Sequence, residues 1–160
     1  MSNKEKFYST VNILVRAYLN NTLAHGRCSA CAVGNIIADS LGVTIQLPDL
    51  DWSEGVPYWN RVFVTAKFYG PHRENRLHEG YGILTQVKVA SNYMGEAKFQ
   101  IDSTGYTWQQ LARIENVFET TPLDEADRMF EGLMRVVDVL TDIHQMDLEE
   151  CKTAKKLFVV

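Results

Sequence analysis

Apolar residues recur at both ends of this chain with the period of a helix, and lose that period in between. Val11, Leu14, Val15 and Tyr18 stand at i, i+3, i+4 and i+7, with Leu19 and Leu23 widening the stripe. This predicts a helix over residues 9–24 with one buried face. His25-Gly26 supplies its stop, glycine taking the left-handed position after the last turn. Val33, Ile36, Ile37 and Leu41 form the next stripe. Ser29 is the expected N-cap, which puts Cys31 in the first turn, and Gly42 closes the helix. Gly34 inside it costs helix propensity and points to close approach of a neighbouring helix. The two segments read as a helical hairpin over residues 9–42, with a cysteine-bearing stretch at its corner.

The C-terminal third repeats the pattern. Thr107-Trp108-Gln109-Gln110 has the spacing of a capping box, and Trp108, Leu111, Ile114 and Phe118 follow on one face. Thr121-Pro122 then reads as N-cap and first helical residue, with Asp124 and Glu125 at the positive helix end. The helix it predicts runs over residues 122–146, turning Ala126, Met129, Phe130, Leu133, Val136, Val137, Leu140 and Ile143 inward. Residues 107–146 thus form a second hairpin. Asp147 is placed to cap a short tail helix carrying Cys151, Lys155 and Lys156.

Residues 43–105 hold three of the four prolines and most of the glycines. Alternation predicts strands at residues 61–69 and 83–89 and a shorter one at 99–101. The expected fold is therefore mainly α (α+β). A four-helix core made from two helical hairpins would carry a small antiparallel sheet or ribbon inserted in the middle.

Composition narrows the function classes. At 160 residues the chain is long enough for one domain with a core of its own. A net charge of −4 gives no global field for nucleic acid. No run of about eighteen apolar residues predicts a membrane span, and Met1-Ser2-Asn3-Lys4-Glu5-Lys6 lacks the apolar core of an export signal. The three cysteines then read as reduced thiols or ligands in a cytoplasmic protein.

Candidate chemistry centres on the corner. His25, Cys28 and Cys31 are spaced as zinc ligands, with a fourth to come from Cys151, His72, His78, His144 or water. The bland alternative is packing, since free cysteine behaves as a small hydrophobe. A third reading makes Cys31 (or Cys28) a nucleophile near a helix N-terminus, with His72 or His78 as base. Asp49-x-Asp51-x-Ser53 has the start of a calcium loop but Glu54 where its glycine belongs and Asn60 where its glutamate belongs, so it reads as acidic surface. Trp52, Tyr58 and Trp59, followed by Arg61, form an aromatic and basic loop suited to recognition, or to a lid on the core. His72-Arg73-Glu74-Asn75-Arg76 reads as a solvated turn.

The His25–Cys31 corner, Cys31-Ala32-Val33-Gly34-Asn35 and the segment from Gly105-Tyr106-Thr107-Trp108 to Glu115 together resemble small uncharacterised proteins of Bacteroidetes and their phages. The resemblance covers the two ends of the chain and implies an accessory or phage–host interaction role, with no catalytic residues to carry over. The function expected is a non-enzymatic cytosolic accessory or protein-interaction protein, needing no cofactor unless the corner holds zinc. Its partner would be a protein rather than nucleic acid or membrane. The alternative is a cysteine-dependent hydrolase or transferase using Cys31 (or Cys28) with His72 or His78.

Overall fold

A computed structural model describes residues 1–24, 31–42, 101–122, 124 and 127–159, and no strand occurs among them. The first helix, α1, is Asn3–Leu19. Ser2 caps it by accepting the Glu5 amide, and Glu5 closes the box by accepting the Ser2 amide. That box starts the helix well before the apolar stripe that predicted it, and so brings Phe7 into the core. The chain leaves α1 through Asn21, whose φ of 57° takes the left-handed position expected of a glycine further on.

Helix α2 is Ala32–Ser40. Its N-cap is Cys31 rather than Ser29, so Cys31 lies just before the first turn and not in it. Gly42 follows the last turn at φ 71°, the stop the sequence predicts. A helical turn at 101–103 places Ile101 in helix, where a short strand was expected. Helix α3, Trp108–Glu119, begins with the predicted box: Thr107 accepts the Gln110 amide and Gln110 accepts the Thr107 amide.

Helix α4 is Arg128–His144, capped by Asp127. Thr121-Pro122 therefore starts no helix. Arg128 instead reaches back from α4 to the end of α3, donating to the carbonyls of Thr121 at 2.9 Å and Glu119 at 3.0 Å. A guanidinium on the C-terminal carbonyls of α3 outweighs the local Thr-Pro signal. After the left-handed Gln145, the predicted tail helix α5 follows as Leu148–Lys156 with Asp147 as its cap.

Helix α1 packs on α2 and α4, α2 also on α3, and α4 also on α3 and α5. One apolar cluster joins them, from Phe7, Val11 and Leu14 through Ile36, Ile37, Leu111 and Phe118 to Leu133, Val137 and Leu140. Cys151, Ala154 and Phe158 enter the same cluster from α5 and the turn after it, so the described core is not closed by four helices alone. The expected sheet at residues 61–69 and 83–89 lies outside the described residues.

Ion pairs between helices lie at the surface: Arg16–Asp39 at 3.3 Å, Arg113–Asp142 at 2.9 Å and Lys155–Asp138 at 2.7 Å. Pairs this exposed contribute at most about 1 kcal/mol each. Burial of the apolar stripes holds the helices together, and the pairs help set their register.

Candidate functional site

Cys31 is almost fully buried. Its Sγ accepts the Gly34 amide at 3.3 Å, and its carbonyl accepts the backbone amide of Asn35 at 3.0 Å and the Asn35 Nδ2 at 3.1 Å. Asn35 Nδ2 also donates to the Thr22 carbonyl at 3.0 Å, while Thr22 Oγ1 donates to Asn35 Oδ1 at 3.3 Å. One buried amide thus fastens the chain leaving α1 to the start of α2. The positive end of α2 faces the sulfur, an arrangement that stabilises a thiolate, whereas burial works against charge at the same atom.

Of the expected zinc ligands, His25 and Cys28 lie outside the described residues. No three His, Cys, Asp or Glu side chains gather as a metal would need among those that are described. Cys151, offered as a fourth ligand, is instead on the α4–α5 seam, its thiol 3.5 Å from Asp138 Oδ1. His72 and His78, the expected bases, and Trp52, Tyr58, Trp59 and Arg61, the expected partner group, also lie outside the described residues.

A second cluster forms where α1, the turn before α3 and the end of α4 meet. Asn3 Nδ2 donates to the His144 carbonyl at 2.6 Å, which turns Asn3 Oδ1 towards His144 Nδ1, 2.7 Å away. An amide oxygen only accepts, so Nδ1 carries a proton. Nε2 of the neutral ring is then an acceptor, and the Tyr106 hydroxyl donates to it across 2.7 Å. Tyr106 in turn accepts from Thr10 Oγ1 at 2.7 Å. Thr10, Tyr106 and His144 are all buried, yet each polar atom of this chain has its partner, as buried polar groups require.

The surroundings favour the neutral form of both rings. Burial pushes the Tyr106 hydroxyl up to about 12, the Thr10 hydrogen bond working the other way. Burial lowers the His144 pKa from its ordinary value, and the nearby Lys6 ammonium lowers it further. Lys6 lies over the Tyr106 ring, 4.9 Å from its centre, and donates to the Thr104 carbonyl. Phe7 packs edge-on to the imidazole at 5.8 Å. Gly105 makes the turn that delivers Tyr106, at φ 78°. Gly105→Ala is expected to cost about 1 kcal/mol through backbone strain, because the added Cβ would meet only the flexible end of Lys6 at 3.4 Å. Thermal unfolding of the variant checks this.

The sequence offers His144 only as a possible metal ligand; in the structure its two ring nitrogens face Asn3 and Tyr106. A signal was present: His144 follows Leu133, Val137 and Leu140 on the inward stripe of α4, and a polar residue on such a stripe needs a buried partner. No known protein family matches the chain, and neither a characterised protein nor a solved structure shows significant similarity to it.

Proposed function

We propose that the chain is a non-enzymatic cytosolic accessory protein that binds another protein, with Trp52, Tyr58, Trp59 and Arg61 as the partner-facing group and the described helices as scaffold. One observation carries this reading. Two chemically capable side chains of the scaffold help to hold it together: Cys31 caps α2 from inside the core, and His144 has Asn3 and Tyr106 on its two nitrogens. Neither is set up to meet a substrate. Among the described residues no helix is long and apolar enough to cross a membrane. The resemblance to proteins of Bacteroidetes and their phages favours a phage–host setting.

The test compares variants as baits in an extract of the cells that make the protein, followed by reconstitution with the purified partner. Trp59→Ala is expected to lose the partner while Cys31→Ala keeps it, both variants remaining folded. Loss with Cys31→Ala and retention with Trp59→Ala would overturn the proposal.

The position of Cys31 Sγ at the start of α2 favours a second reading, a cysteine-dependent hydrolase or transferase with His72 or His78 as base. Zinc on His25, Cys28 and Cys31 would stabilise either version. A chelator would then lower the melting temperature of the freshly purified protein, whereas packing alone predicts no change.

A further inference from the structure

The cluster around His144 joins three elements through one titratable group. We propose that it is a pH-sensitive latch: neutral His144 holds the first two turns of α1 and the turn at 104–106 against the end of α4, and protonation of the imidazole releases them.

Asn3 is oriented by its bond to the His144 carbonyl, so the neutral ring matches both neighbours, donating from Nδ1 and accepting at Nε2. A proton taken from solvent must go to Nε2, and the acceptor facing Tyr106 becomes a donor. Tyr106 would have to turn its own proton towards Thr10, and the Thr10 hydroxyl would lose its acceptor. Protonation therefore disturbs every bond of this chain, and it adds a charge at a buried ring.

The imidazolium would be buried beside the Phe7 ring, and the charged group acting on it is the Lys6 ammonium. Of the carboxylates on the packed elements, Glu150 of α5 is directed towards Lys4 and Tyr8, Asp142 of α4 towards Arg113 and Asp39 of α2 towards Arg16, while Asp147 caps α5. The C-terminal carbonyls of α4 favour a cation at His144. Burial and Lys6 outweigh them, since the net shift is downward.

The sign follows from that direction. A histidine whose pKa is lower in the closed state adds its full stabilisation above the ordinary value of about 6.5. It loses that stabilisation as pH falls from there through the lowered pKa. Over this window the opening equilibrium rises by up to about tenfold for each pH unit. Asn3, Lys6 and Thr10 all lie on the first turns of α1, so those turns open first.

Hydrogen exchange of the full chain between pH 7.5 and 4.5, corrected for the intrinsic pH dependence of exchange, tests the latch. Peptides covering residues 2–10 are expected to lose protection below about pH 6.5, while those covering α3 keep theirs. His144→Gln, which cannot take up the proton, is expected to abolish the pH dependence. Lys6→Met removes the repelling ammonium and is expected to move the His144 titration, followed by NMR of its ring proton, to higher pH. Unchanged protection in the wild type, or the same pH dependence in His144→Gln, would overturn the proposal. If His144→Gln does not fold, a titration that stays in place or moves down in Lys6→Met would overturn it equally.

Discussion

Phe7→Ala is expected to lower stability by about 3–5 kcal/mol, the range for removing a fully buried aromatic ring. Phe7 has no exposed surface and meets the Tyr8 ring at 5.1 Å and the His144 ring at 5.8 Å, both edge to face. It stands between the apolar cluster and the polar chain, so the cavity left by alanine would open on both. Collapse into that cavity would disturb hydrogen bonds as well as packing, which places the cost towards the upper end. Against the roughly 5–15 kcal/mol by which domains are stable, one residue would remove a large share. Urea unfolding measures it as a lower midpoint with little change in slope. Val15→Ala, at a partly buried position on the same helix, serves as the control and is expected to cost less.

Tyr106→Phe is expected to cost about 1–3 kcal/mol although the ring keeps its shape. The hydroxyl serves two buried groups at once, accepting from Thr10 and donating to His144 Nε2. Its loss leaves an acceptor and a donor unmatched where water has little access. The penalty therefore comes from the partners left behind more than from the bond itself. Thr10→Val removes one of those orphans, so the double variant should be less destabilised than the sum of the singles. The coupling expected for groups in one network is about 0.5–3 kcal/mol. Additive effects would mean that the three side chains do not act as one chain of bonds.

The helices were legible in the sequence where a local signal set them. The Thr107-x-x-Gln110 box and the Asp147 cap start α3 and α5 as read, and Gly42 ends α2 as read. The start of α1 was missed because its reading followed the apolar stripe from Val11, while an equally local box at Ser2 and Glu5 extends the helix to take in Phe7. Thr121-Pro122 misled for the opposite reason, being a sound local start that a contact from Arg128 displaces. The polar cluster is a different matter. Asn3 and His144 are 141 positions apart, and periodicity carries no information about which buried polar side chains will meet across such a distance. Cys31 was read as a candidate site from its place beside a helix start. Its role as the cap itself, with Asn35 binding its carbonyl, depends on a side-chain geometry that spacing does not specify.

The most direct test of the central reading, that Cys31 is part of the scaffold and not a nucleophile, is its alkylation rate in the native protein. The protein is treated with iodoacetamide near pH 7 and the peptide containing Cys31 is followed by mass spectrometry, with the urea-unfolded chain as reference. A buried sulfur that caps α2 should react far more slowly when native than when unfolded, and speed up only as denaturant opens the fold. A native Cys31 that reacts faster than the unfolded chain would be an activated thiolate, and would contradict the account in favour of cysteine chemistry.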